Sequence, residues 1–218
     1  MRYLILITVT AFLFPCCSKD KSPSSSINLQ AGLRIYLPFN GNLEDSTGKV
    51  SSIIYTVSGT SFSTDRHDKL ASALKLDEGK VIISSLNWTA NPISISVWVK
   101  RADDTQANYM LAANDAIFGM RQVNKKVGFT ISLPLTNSAY GETSDNWAHV
   151  AGTYDATTIS VYVDGELAAT QKHAGNPANV SELVIGELNS IKWKGEIDDL
   201  RVYDRLLSQE EIKALAAL

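Results

Sequence analysis

Short runs in which apolar and polar residues alternate recur along the chain, with turn residues between them. Ile93–Lys100 alternates strictly, so its isoleucines and valines share one face while serine, tryptophan and lysine occupy the other. Thr158–Val163 repeats the pattern and is followed by Asp164-Gly165, a pair typical of a tight hairpin turn. The alternation predicts antiparallel strands that each bury one face.

The same pattern predicts further short strands between turn signals. About a dozen short strands in one chain indicate an all-β sandwich or a closed barrel. The further predicted strands are Arg34–Phe39, Ser52–Val57, Ser72–Leu76, Lys80–Ser85, Tyr109–Ala113, Ile117–Arg121, Val127–Leu133, Ala148–Tyr154, Glu166–Thr170, Glu182–Gly186 and Glu196–Tyr203.

The hydrophobic period changes near the end of the chain. Ser208 and Glu211 form the two ends of a helix capping box. Ile212, Leu215 and Ala216 follow at helical spacing and form an apolar stripe. This pattern predicts a short C-terminal helix that packs on one edge of the sandwich.

The first residues are typical of an export signal. Tyr3–Phe14 is apolar, follows the basic Arg2, and is too short to span a bilayer. Two adjacent cysteines come next, and their surroundings resemble a bacterial lipobox. We expect a lipoprotein signal peptide over residues 1–16 and lipidation at Cys17, with Cys16 or an ordinary signal peptide as alternatives. A Ser-rich tether over 17–27 and one domain over 28–218 would follow.

Composition and charge argue against some classes of function. The chain has 218 residues, with 20 Lys and Arg against 23 Asp and Glu, a formal charge of −3. Such a balance argues against nucleic-acid binding, for which a basic patch is expected. Both cysteines lie in the N-terminal segment, so the folded part contains no disulfide and no thiolate ligand.

Several sequence segments, in their order along the chain, resemble one protein family. Together, five segments are similar to the bacterial LamG-like branch of the concanavalin A-like lectin/glucanase superfamily. These segments are Gly32–Asn42, Ile93–Lys100, Trp147–Asp155, Val161–Gly165 and Gly195–Arg205. The resemblance implies an antiparallel two-sheet jelly-roll sandwich with one convex and one concave sheet. Sugar sites in that family usually lie on the concave face or in the rim loops.

Four aromatic residues are candidates for binding sugar. Trp98, Trp147, His149 and Tyr162 alternate opposite to the apolar residues of their strands, which could line them along the concave face. Aromatic rings stack on sugars while a few polar groups fix orientation. The alternative is that the tryptophans are core residues under a loop or the helix.

A structural Ca²⁺ ion is a further expectation. Asn40 and Asp45 lie in a loop that supplies oxygen ligands of the kind calcium prefers. The resemblance implies a cation that ties this region to an aspartate opening the last strand, which corresponds to Asp198. The alternative is that Asp45 forms an Asx turn and Asp198 pairs with Arg201 or a lysine.

Catalysis is not expected. Glycosidases of this superfamily carry paired acids on one strand, and the nearest match, Glu196-Ile197-Asp198, lacks the second glutamate. We therefore expect a non-catalytic, lectin-like module that binds a glycan or an extracellular polysaccharide. It would be held at the outer membrane or cell surface by its lipid anchor only. The alternatives are an adhesion or scaffolding lipoprotein that binds a protein, and a glycoside hydrolase of the same fold.

Overall fold

Two antiparallel β-sheets packed face to face form the domain. The computed structural model describes residues 27–50, 52–89, 91–102, 107–114, 117–132, 136–175 and 179–218. The predicted signal peptide, both cysteines and nearly all of the predicted tether lie outside the described residues. Within the described residues the strands are β1 (Leu33–Leu37), β2 (Ser52–Tyr55), β3 (Thr60–Ser63), β4 (Ala73–Asp77), β5 (Val81–Ser84), β6 (Trp88–Thr89), β7 (Ile93–Arg101), β8 (Tyr109–Ala113), β9 (Phe118–Val123), β10 (Lys126–Ile131), β11 (Asn137–Glu142), β12 (Ala148–Tyr154), β13 (Thr158–Val163), β14 (Glu166–Lys172), β15 (Asn179–Val180), β16 (Leu183–Ile185), β17 (Glu187–Leu188), β18 (Ile191–Lys192) and β19 (Lys194–Tyr203).

The strand order confirms the predicted jelly-roll sandwich. One sheet has eight strands in the order β14-β13-β12-β7-β19-β4-β3, with β1 also paired to β19. The other has seven strands in the order β11-β10-β9-β8-β16-β5-β2. Two further two-stranded antiparallel pairs are formed, one by β6 and β15 and the other by β17 and β18.

The main hydrophobic core lies between the two sheets and consists of the residues that the alternation selected. In β7 the core residues Ile95, Val97 and Val99 are at most 3% exposed. Most of the other alternating positions, such as Val161 and Val202, are also buried there, while Val163 is only half-buried. Burial of each such side chain stabilises the fold by about 1.5–3 kcal/mol.

A second, smaller core lies on the outer face of the eight-stranded sheet. The single described helix, α1 (Gln209–Ala216), begins at the Ser208 cap with the predicted Ser208–Glu211 capping box. Its buried residues Ile212 and Leu215 pack with Tyr203 and other apolar residues of the sheet's outer face. The helix therefore packs on the outer face of the sheet near its edge strand β14, in agreement with the predicted edge position.

The predicted strands match the structure closely where alternation is strong. Tyr109–Ala113 and Ala148–Tyr154 have the predicted bounds, and Asp164-Gly165 turns with both φ angles positive. The strand β11 was not predicted, because Asn137–Glu142 contains serine and glycine in place of branched residues. No helix among the described residues is long and apolar enough to cross a membrane.

Candidate functional site

Three of the four aromatic candidates lie on the outer face of the eight-stranded sheet. Trp98 and His149 are register partners on β7 and β12, and their rings meet edge to face at 5.5 Å. Tyr162 on β13 packs against the second core. Trp147 is half-buried and directly precedes β12. The structure thus brings Trp98 and His149 together.

This part of the sheet is covered rather than open. The guanidinium of Arg66 lies 4.9 Å from the centre of the Trp98 ring. His149 is 0% exposed, and its Nε2 is 2.8 Å from the Ser96 hydroxyl oxygen. Because it has no exposed surface, His149 cannot contact a sugar in this conformation, and we leave it out of the proposed site.

Burial also sets the charge of His149. Desolvation, with the nearby guanidinium groups of Arg201 and Arg66, lowers the pKa of His149 to about 3, while the carboxylate of Asp199 opposes them. The imidazole is therefore neutral at pH 7 and is held in the sheet as an uncharged, edge-stacked ring.

The Asp45 side chain holds the surrounding loop together through hydrogen bonds. Its carboxylate accepts hydrogen bonds from the backbone N–H groups of Tyr36, Thr47, Lys49 and Val50, at 2.9–3.2 Å, and from the Thr47 hydroxyl at 2.6 Å. These hydrogen bonds lower the pKa of Asp45 against the opposing effect of burial. The geometry agrees with the Asx-turn alternative and extends it to the neighbouring strand β1.

Asp198 pairs with an arginine that the sequence argument did not name. The expected partners were Arg201 or a lysine, but the structure pairs Asp198 with Arg66, whose other terminal nitrogen lies 2.6 Å from Asp199. Burial and the adjacent Asp199 carboxylate raise the pKa of Asp198 to about 6, although Arg66 lowers it. Arg66, a loop residue far away in the sequence, thus bridges both carboxylates, and Arg201 also pairs with Asp199 at 3.3 Å.

The three calcium candidates do not form one cluster. Asn40 and Asp198 line the same open cavity of about 370 Å³, whereas Asp45 does not. The Asn40 side-chain oxygen accepts a hydrogen bond from Lys69 Nζ at 2.9 Å. No group of three or more metal-ligating side chains is found among the described residues. Structural calcium stays a prediction, and melting curves recorded in calcium and in chelator test it.

A different surface is formed on the outer face of the seven-stranded sheet. Tyr140, Gly128, Arg121 and Tyr109 lie side by side on four adjacent strands, β11, β10, β9 and β8. We call these four residues the tyrosine–arginine row. The core residues of the same strands point the opposite way, towards the other sheet, so the row faces away from the core.

Glycine makes the row flat. A Cβ atom on Gly128 would lie 2.3 Å from the Tyr140 ring, and one on Gly119 would lie 2.9 Å from the Tyr109 ring. Each ring therefore packs against the backbone of a glycine, because the Cβ atom of any other residue there would clash with the ring. The Arg121 guanidinium lies 5.6 Å from the centre of the Tyr109 ring, so it stacks beside the ring.

The row continues into a cavity of about 250 Å³. Its walls include Tyr109, Arg121 and Asn108, together with Asn189 and Ile191 at the β17–β18 turn. Asn108 is oriented by a 2.6 Å hydrogen bond that its Nδ2 donates to the Lys192 carbonyl. Flat aromatic faces beside amide and guanidinium donors make a surface that can stack on a ring and bind its polar substituents.

Sequence reasoning missed this surface. Tyr109 and Arg121 were placed on strands, but their lateral order depends on which strands pair. Tyr140 lies on the strand that was not predicted. The signal that could have found them is the pair of glycines, because glycine is unfavourable inside a strand unless another group approaches the backbone closely.

Comparisons with known proteins agree with the fold. The family model described as "Concanavalin A-like lectin/glucanases superfamily" matches residues 77–213. No sequence among curated proteins matches the chain. Domain 4 of AbnA, an extracellular arabinanase from Geobacillus stearothermophilus in complex with arabinotriose, has a TM-score of 0.69 at 21% identity. The alignment covers 85% of this chain and 98% of that domain.

Toxin binding domains also share the fold. The binding domain of paraclostridial mosquitocidal protein 1 has a TM-score of 0.69 at 14% identity, covering 85% of this chain and 52% of that one. A structure of botulinum neurotoxin type C, whose cell entry depends on interaction with two ganglioside molecules, has a TM-score of 0.67 at 16% identity, covering 85% and 51%. The present chain spans about half of these toxin chains. At such identities the likeness shows the fold alone.

Proposed function

The chain belongs to the concanavalin A-like lectin/glucanase superfamily, and we propose that it is a non-catalytic glycan-binding module carried by a bacterial surface lipoprotein. The observation that carries the proposal is the tyrosine–arginine row with its adjoining cavity. The lipid anchor at Cys17 and the outer-membrane or cell-surface location rest on the N-terminal sequence alone.

The chemistry of the row suits a saccharide. A sugar ring presents C–H groups on its faces and hydroxyls at its edge. The two tyrosine rings, held flat by the glycines beneath them, can stack on the C–H faces. Asn108, Asn189 and Arg121 at the cavity can bind the hydroxyls. A few convergent polar groups on a largely apolar surface are typical of small-ligand sites.

The lining of the cavity favours binding over hydrolysis. Glycoside hydrolysis commonly uses two carboxyl groups about 5–9.5 Å apart on either side of the bond that breaks. Among the described residues, those that line this cavity include neither aspartate nor glutamate. The similar arabinanase domain is in complex with arabinotriose, and cell entry of botulinum neurotoxin type C depends on two ganglioside molecules, which supports a glycan as the ligand class.

One observation favours the protein-binding alternative. The edge strand β2 and the turn after it expose Ile54, Tyr55 and Val57, each more than half exposed. An apolar edge strand is a surface on which a protein partner can pair. This surface lies on the same sheet as the row but at its opposite edge, so variants can test the two separately.

A glycan array probed with the full chain tests the proposal. We expect bound glycans, and we expect the double substitution Tyr109→Ala, Tyr140→Ala to remove that binding because it deletes both stacking surfaces. Tyr55→Ala is the matched control, since Tyr55 is an exposed tyrosine outside the row. Glycan binding that survives the double substitution would refute this site. Binding that is lost only with Tyr55→Ala would favour the β2 edge.

A further inference from the structure

We infer that the glycan bound at the tyrosine–arginine row is acidic, with a carboxylate or another oxyanion on the sugar that contacts Arg121. The inference rests on the proposed function, because it names the class of sugar for that same surface. Its starting observation is the charge of Arg121, which the described part of the protein leaves without a partner.

Arg121 differs from the other arginines of the described chain. Five of them form an ion pair with an aspartate or glutamate. In contrast, no carboxylate among the described residues pairs with Arg121, and its buried Nε atom has no hydrogen-bond partner. The five paired arginines are Arg34, Arg66, Arg101, Arg201 and Arg205.

Arg121 also has no acidic register neighbour among the described residues. Its register neighbours across the sheet are Gly128 and Tyr109. Glu142 lies on the same face, two residues after Tyr140, and its carboxylate pairs with Lys126 at 3.7 Å. Within the part of the chain that the structure describes, the Arg121 guanidinium therefore contacts the Tyr109 ring and no carboxylate. The positive charge stays available to a ligand.

A half-buried cation between two aromatic rings favours an anionic ligand. Arginine presents parallel N–H groups that match the two oxygens of a carboxylate, and such charged hydrogen bonds are about twice as strong as neutral ones. A sugar stacked on Tyr109 or Tyr140 would place its ring substituents next to Arg121. A uronic or sialic acid carries its carboxylate on the ring carbon, in the position that this arrangement requires. A sulfated sugar presents the same chemistry through a sulfate ester.

The test compares acidic glycans with uncharged versions of the same glycans. The full chain is probed on an array that pairs each uronic- or sialic-acid glycan with its methyl ester and each sulfated glycan with its desulfated form. The best acidic ligand is then titrated by calorimetry. We expect it to bind about tenfold to hundredfold more tightly than its neutral partner. The preference should weaken as salt is added. Comparing the carboxylate pairs with the sulfate pairs also shows which of the two anions the protein binds.

Substitutions assign the preference to Arg121. Arg121→Gln should reduce the acidic-over-neutral ratio to about one, because acidic glycans lose far more affinity than neutral ones, and Arg121→Lys should retain part of the ratio. Arg34→Gln is the control, since Arg34 is a surface arginine outside the row. Circular dichroism checks that each variant is folded.

The outcomes separate the two proposals. Equal binding of acidic and neutral glycans overturns the acidic-sugar inference, and so does an unchanged acidic-over-neutral ratio in Arg121→Gln. In either case the glycan-binding proposal still holds if the double substitution Tyr109→Ala, Tyr140→Ala removes binding. A chain that binds no glycan on the array overturns both.

Discussion

The outer faces of the two sheets follow the same rule of alternation but differ in what lies on them. On the eight-stranded sheet, α1 packs against Tyr203, and Arg66 lies over Trp98 while pairing with Asp198. On the seven-stranded sheet, the tyrosine rings lie on glycines and Arg121 has no acidic partner among the described residues. One face is closed by the protein itself, whereas the other leaves aromatic and charged groups available.

This difference shows what a polar face of a strand can mean. Serine, tryptophan and histidine opposite a core are compatible with both an open surface and a second buried layer. On the eight-stranded sheet, the distant residues Arg66 and Leu215 close the face. The number of chemically interesting side chains on a strand is therefore a poor guide to function, and the availability of those side chains is a better one.

The largest expected effect comes from breaking the ion pairs of the covered face. Arg66→Ala leaves Asp198 buried without its partner, and such a loss costs about 3–5 kcal/mol of unfolding free energy. Urea denaturation measures it. Arg34→Ala, which removes the more exposed Arg34–Asp204 pair, should cost about 1 kcal/mol or less. Equal losses in the two variants would show that the covered face is not specially dependent on its ion pairs.

The next effect comes from loosening the helix. Leu215→Ala removes a fully buried side chain between α1 and the eight-stranded sheet, and we expect a loss of about 2–5 kcal/mol in urea denaturation. Leu206→Ala is the control, because Leu206 is 41% exposed. Glycan binding by the folded Leu215→Ala protein should be unchanged, since the row lies on the other sheet. Impaired glycan binding would argue that the two faces are coupled.

A smaller effect is a pH dependence that originates on the covered face. The depressed pKa of His149, about 3, means that the unfolded chain takes up a proton as pH falls below about 6.5, so His149 lowers stability on acidification. Asp198, with a raised pKa of about 6, acts oppositely as pH falls from about 6 to 4. Because the pKa shift of His149 is larger than that of Asp198, the two groups together should lower the free energy of unfolding on acidification.

His149→Gln tests this balance. The variant should lose less unfolding free energy than the wild type between pH 7 and pH 4.5, measured by urea denaturation at both values. His67→Gln, at the surface, should behave like the wild type. If His149→Gln and the wild type lose the same free energy on acidification, His149 is not held neutral as described.

The smallest effect is expected on the open face. Lys126→Gln removes the exposed Lys126–Glu142 pair, which should contribute between 0 and about 1 kcal/mol. Thermal melting of this variant should therefore nearly overlay the wild type. A loss as large as that of Arg66→Ala would contradict the distinction between a closed face and an open one.

The fold could be predicted well because its signals are local. Strand β12 has the predicted bounds and the Ser208 cap begins α1 where the sequence indicates, since alternation and capping depend on neighbouring residues. Strand β11 escaped prediction because its serine and glycine carry little strand preference and its pairing with β10 supplies the stability. The site proposed here lies on the other sheet from the predicted aromatic residues, because Tyr140 and Arg121 become near neighbours only through strand pairing.

The sequence by itself determined the all-β class, the core face of each strong strand, the hairpin at Asp164-Gly165 and the C-terminal helix. Each depends on residue spacing and on the backbone preferences of a few adjacent residues. Only the tertiary structure decided that Arg66 closes the face around Trp98 and that Tyr109, Arg121 and Tyr140 share an open one. Those contacts join residues far apart in the chain, and their formation depends on strand order and on what packs above each sheet.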